Sequence, residues 1–239
     1  MSRLLLTGDV HGEIDISKLS NKAWPQQKEL TKEDYLIILG DFGLVWNENL
    51  INTERYWLQW LEEKPFTTLF IPGNHECYPR LREYPLEFWN DGFIRRIRPS
   101  VIMLERGYVF QIGGKTFFCM GGARSTDKAS RVEGRTWWPE EMPSKEEYDL
   151  AAANLEKYNN NVDYIITHCG PNSIIEDKLK LERDELTTFF ENYVNKFVTF
   201  KQWFMGHYHV DRSTADHKYN LIYDDILELV NDDFVLVNE

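Results

Sequence analysis

Five times along this chain of 239 residues, a short apolar run breaks off at a glycine-bearing turn crowded with polar side chains. Leu4-Leu5-Leu6-Thr7 runs into Gly8-Asp9-Val10-His11-Gly12, and Tyr35-Leu36-Ile37-Ile38-Leu39 into Gly40-Asp41-Phe42-Gly43. Thr68-Leu69-Phe70-Ile71 runs into Pro72-Gly73-Asn74-His75-Glu76, and Tyr164-Ile165-Ile166-Thr167 into His168-Cys169-Gly170-Pro171. Trp203-Phe204-Met205 then meets Gly206-His207-Tyr208-His209. Runs of this length, apolar on both faces, read as strands covered on both sides. Open α/β sheets bind ligands beyond the carboxyl ends of such strands, so the polar turns mark the candidate binding end.

Between the strands lie helical stretches. In 51–64, Tyr56, Trp57, Trp60 and Leu61 fall on one face among Glu54, Arg55, Gln59, Glu62 and Glu63, and Pro65 ends the helix. Segment 144–158 opens with Ser144 and Glu147 at capping-box spacing, and 183–197 carries Leu186, Phe189, Phe190 and Tyr193. The stretch 101–120 predicts a hairpin, Tyr108 to Ile112 and Lys115 to Met120 about Gly113-Gly114, and a second β-rich region runs from Val210 to Val237. Early βα units followed by hairpins predict two sheets packed face to face with helices outside, an α/β (α+β) chain forming a single domain over 1–239. Gly121 to Pro143 is a long loop insertion, far beyond the usual connection of about four to six residues. It carries Arg124, Lys128, Arg131 and Arg135 ahead of Trp137-Trp138-Pro139.

Charge narrows the partners. Lys+Arg 27 against Asp+Glu 39 leaves a net charge of -12, whereas gripping a nucleic-acid backbone takes clustered cations that displace counterions. No long nucleic acid is expected; a small phosphate remains compatible. A hydrophobic content of 42% is ample for a packed core and excludes intrinsic disorder. Cys77, Cys119 and Cys169 are too few for a disulfide framework and fit a reducing compartment. With no apolar run near the ~18 residues of a membrane span and no signal-peptide core, a soluble, cytoplasmic protein without a membrane partner is expected.

Five of the six histidines, His11, His75, His168, His207 and His209, stand in the strand-end turns beside Asp9, Asp41 and Asn74. Mixed imidazole and carboxylate donors suit Mn, Fe, Zn, Ni or Co over Ca or Mg. One histidine at a strand end is ordinarily a hydrogen-bonded core residue; packing does not account for five. Asp9 and His11 can converge on one ion because Val10 turns away, and His207 and His209 can do so across Tyr208. A structural zinc site would instead recruit thiolates at short spacing, which this chain lacks.

Taken in order, Gly8-Asp9-Val10-His11-Gly12, Gly40-Asp41, Gly73-Asn74-His75-Glu76, His168 and Gly206-His207-Tyr208-His209 resemble the motif series of the calcineurin-like metallophosphoesterases, over positions 8 to 209. The resemblance implies a four-layer αββα sandwich of two mixed β-sheets flanked by helices. It also implies a dinuclear centre of divalent or trivalent ions, Mn, Fe, Zn or Ni. Asp9, His11 and His209 would hold one ion, Asn74, His168 and His207 the other, with Asp41 bridging and His75 as the catalytic proton donor to the leaving alkoxide. Such ions, about 3.5–4 Å apart, activate a shared water and clamp phosphoryl oxygens. The expected activity is phosphatase or phosphodiesterase hydrolysis of a small or nucleotide-like phosphate ester. The alternatives are a nuclease or cyclic nucleotide phosphodiesterase with the same site and, outside catalysis, a metal-binding scaffold for protein partners. Scaffold relatives are expected to lose ligands, and here all eight residues are kept.

One departure stands out. Phosphoprotein phosphatases of that superfamily continue the second motif as Gly-Asp-x-Val-Asp-Arg-Gly, with an arginine on the substrate phosphate. Here the text is Gly40-Asp41-Phe42-Gly43-Leu44-Val45-Trp46, without it. Arg124 and Arg131 are the candidate substrate contacts in its place, against a reading of these residues as solvated loop charges. Trp137 and Trp138 either wall the site or pin the loop to the core. Glu76 either supports a ligand by accepting a hydrogen bond or is an ordinary turn carboxylate. Cys169 is expected to be buried and inert, His217 to lie on the surface, and Asp224-Asp225 with Asp232-Asp233 to line a solvated edge. Oligomeric state is left unassigned.

Overall fold

The computed structural model describes residues 2–237. Its strands are β1 (Leu4–Thr7), β2 (Tyr35–Ile38), β3 (Thr67–Phe70), β4 (Leu86–Trp89), β5 (Gly92–Arg98), β6 (Val101–Leu104), β7 (Tyr108–Ile112), β8 (Lys115–Met120), β9 (Tyr164–Thr167), β10 (Gln202–Met205), β11 (Arg212–Ser213), β12 (Tyr219–Leu221), β13 (Ile226–Val230) and β14 (Asp233–Leu236). They form an eight-stranded sheet, β14-β13-β1-β2-β3-β6-β5-β4, and a six-stranded sheet, β11-β12-β10-β9-β8-β7. Both are mixed: β1, β2, β3 and β6 run parallel, as do β8, β9, β10 and β12, with antiparallel strands at the flanks.

Side chains of a strand point alternately to opposite faces, so a run apolar at every position needs cover on both. Leu4, Leu6, Ile37 and Leu69 point between the sheets, against Phe117, Tyr164, Ile166 and Phe204. Leu5, Leu36, Ile38 and Phe70 point outward, onto Leu58 and Leu61 of helix α1 (Asn52–Glu62). The outer face of the smaller sheet, Phe118, Met120, Ile165 and Trp203, is covered by Ala151 and Leu155 of a second long helix (Lys145–Lys157) and by Leu186 and Phe190 of the helical run 185–197. This is the four-layer αββα sandwich.

The Ser144 cap forms as its spacing predicts: the hydroxyl accepts the Glu147 N–H at 3.3 Å, and the Glu147 carboxylate accepts the Ser144 N–H at 2.7 Å. The hairpin at Gly113-Gly114 also forms, both glycines having positive φ, while Val101–Leu104 departs to the other sheet and pairs with β3. A hairpin of β4 and β5 was not anticipated, because Arg95, Arg96 and Arg98 interrupt its apolar pattern. On α1 the expected face holds for Leu61, Trp57 and Trp60, which pack on the core, and is corrected at Tyr56. Glu54, Leu58 and Leu61 are its buried residues, and Tyr56 is 61% exposed. Glu54 is accommodated in that stripe by a salt bridge of 2.8 Å from Arg80. No helix among the described residues is long and apolar enough to cross a membrane.

Candidate metal centre

The turns after β1, β2 and β3 come from one sheet, those after β9 and β10 from the other, and they meet where the sheets face each other. The approach leaves no room for a side chain at Gly40 and Gly206, among others: a β-carbon at Gly40 would overlap the His168 ring, and one at Gly206 would overlap the Asp9 carboxylate. His11, Asp41, His207 and His209 all have positive φ, between 44 and 70°. Left-handed backbone at a non-glycine residue costs on the order of 1 kcal/mol, and it concentrates where function requires it. Hydrogen bonds hold it here. His11 donates its N–H to the Asp41 carbonyl at 2.8 Å, and His207 donates its N–H to the Asp9 carboxylate at 2.9 Å.

Around this frame the eight expected side chains converge. His209 Nε2 lies 3.3 Å from Asp9 Oδ2, and His11 Nε2 3.9 Å from the same oxygen and 3.3 Å from Asp41 Oδ2. His168 Nε2 lies 3.2 Å from Asp41 Oδ1 and 3.2 Å from Asn74 Oδ1. The outer nitrogens are engaged elsewhere: His168 Nδ1 with the Leu39 carbonyl at 2.8 Å, His11 Nδ1 with Asp15 Oδ2 at 2.6 Å. Each contact places a proton on Nδ1 and turns Nε2 inward as a ligand atom. Ligand-capable atoms group within 4.8 Å of one another in three sets, Asp9-His11-His209, His11-Asp41-His75 and Asp41-His168-His207.

Asp9 and Asp41 are both buried, and imidazoles are their only ion-pair partners among the described residues. Buried carboxylates require compensating charge, and this nitrogen–oxygen donor set fits a first-row metal ion. Without one, the histidines take protons. Burial opposes charge on His11 and His168, but Asp41 and Asp9 outweigh it and carry both up to about 9. Burial also opposes ionisation of Asp41, yet His168 and His11 hold it well below the usual carboxylate range. His207, buried and facing His168, is pushed down to about 4. Burial likewise lowers His75, Arg131 adding to the effect against the pull of Asp41.

His75 Nε2 stands 4.0 Å from Asp41 Oδ2, its ring stacked on Trp46 at 5.1 Å between centroids. Arg131 donates to that same Nε2 at 3.1 Å, and is itself held by Asp127 at 2.6 Å and by the Thr136 carbonyl at 3.0 Å. Arg124 is not brought to the centre. It is exposed and lines an adjoining cavity. Trp137 and Trp138 are buried; Trp138 packs with Cys77 and Tyr78, and so pins the loop. Glu76 Oε1 accepts the Phe42 N–H at 2.7 Å while Oε2 has no partner, and burial with nearby Asp41 raises the carboxyl to about 8. Cys169 is buried. The solvated edge is only partly so: Asp225 is half-buried, and Asp232 pairs with Lys115 and Lys201.

Sequence reasoning passed over four supports. Asp15 orients His11, and Trp46 stacks on His75. Tyr223 stacks on His209 at 4.7 Å. Ser125 accepts the Asn74 side-chain N–H at 3.2 Å and donates to Glu141 at 2.6 Å, fixing which end of the amide faces His168. Only the fourfold spacing of His11 and Asp15 carried a local signal; the others are distant in sequence.

A family model described as calcineurin-like phosphoesterase matches residues 2–211. The lariat debranching enzyme of Danio rerio is 24% identical over 236 residues, 87% of this chain, which spans only 40% of the length of that relative. A putative 5′-nucleotidase from Staphylococcus aureus superposes with a TM-score of 0.50 at 14% identity, over 98% of this chain and 52% of that one, a likeness of fold. The phosphopantetheinyl hydrolase of Mycobacterium tuberculosis superposes with a TM-score of 0.48 at 18% identity, over 93% and 90% of the two chains.

Proposed function

The chain belongs to the calcineurin-like phosphoesterase family, and on that premise we propose that it is a metal-dependent phosphoric ester hydrolase acting on a small or nucleotide-like ester. The observation that carries the reading is a pair of buried carboxylates, Asp9 and Asp41, whose ion-pair partners among the described residues are all imidazoles. In this reading 1–239 is one domain with the 121–143 loop inserted. Asp9, His11 and His209 would hold one ion and Asn74, His168 and His207 a second, and Asp41 would serve both, since a carboxylate has two oxygens to offer. Two such ions supply a water acidic enough to act as hydroxide near neutral pH and a clamp for phosphoryl oxygens.

The chain's own residues supply orientation and the proton. Asp15 and the Leu39 carbonyl keep Nε2 of His11 and His168 facing the centre. His75 is the proton donor to the leaving alkoxide. Arg131 can only donate hydrogen bonds, so its contact with His75 Nε2 keeps that nitrogen unprotonated while no ester is present. An arriving phosphate draws the guanidinium to its own oxygens, and Nε2 is released to take a proton from solvent and deliver it to the leaving alkoxide. Arg131 thereby replaces the arginine missing from the second motif, and Arg124 meets parts of the ester farther out. Three buried free cysteines support a reducing, cytoplasmic setting.

Hydrolysis of p-nitrophenyl phosphate and of bis-p-nitrophenyl phosphate, each with Mn²⁺ and with chelator, tests this reading. Turnover that chelator abolishes supports it; no turnover of either with any first-row divalent ion overturns it. A diester preference is favoured by one observation. Cavities of about 270 and 570 Å³ flank the centre on the His11 and His207 sides, room for an organic group on each. A lariat-type branched RNA belongs in the same panel, given the relative's name. Its faster hydrolysis would refute the expectation, drawn from charge, that long nucleic acid is excluded.

A further inference from the structure

The larger of those two cavities offers more than room for an organic group, because its lining carries charge. Thr126 and His207 line both it and the metal centre, so it is the continuation of the cleft. Its volume, about 570 Å³, lies within the range of roughly 300–1,000 Å³ usual for small-molecule sites. Ile175, Leu181 and Tyr208 supply apolar wall.

Three cations line it, Arg124, Lys128 and Lys180, in a protein whose net charge is -12. Neighbouring arginines are paired, Arg131 with Asp127 and Arg183 with Glu176. Among the described residues no carboxylate lies within ion-pairing distance of these three. Two carboxylates also line the cavity, Glu182 and Asp184; Asp184 is occupied in capping the Thr187 N–H at 2.9 Å, and neither forms an ion pair with these cations. Lys128 is held in place over the Trp137 ring, 3.9 Å from its centroid. A patch of unpaired cations beside apolar wall suits an organic body that ends in an anion.

We propose that this cavity is a second anion subsite, so that the substrate is a phosphate ester whose organic arm, of nucleoside size, carries a further phosphoryl group. Arg124, Lys128 and Lys180 take that group while the scissile phosphate occupies the centre. This rests on the hydrolase reading for the scissile phosphate only, and the test separates the two.

In chelator, adenosine 5′-monophosphate and adenosine are titrated calorimetrically against the full chain. The nucleotide is expected to bind at least about tenfold tighter, and Lys128→Ala with Lys180→Ala together to remove most of that advantage. Equal binding of the two, or an advantage untouched by the double substitution, overturns the subsite. With Mn²⁺, the ratio of kcat/KM for adenosine 3′,5′-bisphosphate to that for p-nitrophenyl phosphate is expected to fall at least about tenfold in the same double variant, and Lys180→Arg alone to retain it. An unchanged ratio overturns the subsite and leaves the hydrolase standing. Binding in chelator without hydrolysis of any ester does the reverse.

Discussion

If His11 and His168 are metal ligands, metal affinity must depend steeply on pH, because a ligand nitrogen has to be free of its proton. In the metal-free protein both sit at about 9, carried there by Asp41 and Asp9 against the effect of burial. At pH 7 both are therefore protonated, and each proton displaced weakens apparent affinity roughly fiftyfold relative to pH 9. His207, at about 4, is already neutral and adds nothing. The apparent Kd for Mn²⁺ should accordingly tighten by about two powers of ten per pH unit between pH 6.5 and 8.5. About two protons should be released on binding at pH 7.5. Calorimetry in buffers of different protonation enthalpy measures both quantities. The metal-free fold runs the opposite way: stability from these two raised groups is fully present below their unfolded value of 6.5 and is lost as pH rises through about 9. A Kd independent of pH across this window, with no proton release, would refute the ligand assignment of both histidines.

Three other outcomes are expected. Asp41→Asn should lose bound metal by elemental analysis and lower kcat at least about a thousandfold, whereas His75→Ala should keep metal and lose about 10²–10⁴ in kcat on an alkyl ester. Full activity of His75→Ala on a poor leaving group would remove the proton-donor role. Ser125→Ala, which frees the Asn74 amide, should weaken metal binding by about 10–100-fold while leaving the fold intact by circular dichroism. Glu76→Gln removes a carboxyl raised from 4.5 to about 8, whose contribution to stability is present below 4.5 and lost as pH rises through about 8. In chelator, the stability of that variant relative to the parent should improve by roughly 4 kcal/mol between pH 5 and pH 9, measured by urea unfolding.

Much of this was legible along the chain because its causes are local. A strand apolar on both faces that ends at glycine announces both the buried sheet and the turn, as at Ile38-Leu39-Gly40-Asp41. The Ser144 cap and the Gly113-Gly114 hairpin are likewise decided within four residues. Where long-range partners set the outcome, local pattern failed. Periodicity aimed Tyr56 inward, yet it is exposed, and the buried stripe of Leu58 and Leu61 carries instead Glu54, paired with Arg80 26 residues away. Three arginines disguised β5, whose other strand face is packed and whose cations find carboxylates such as Glu105 and Glu87.

The sequence by itself determined the donor types, their order and the strand ends that carry them, since each is a matter of composition and short spacing. The tertiary structure decided which atoms face one another. It set Trp46 and Arg131 on His75, fixed the Asn74 amide through Ser125, and moved Arg124 from the centre to the neighbouring cavity. Those relations join residues from 29 to 56 positions apart, or across two sheets, and follow only from how the layers pack.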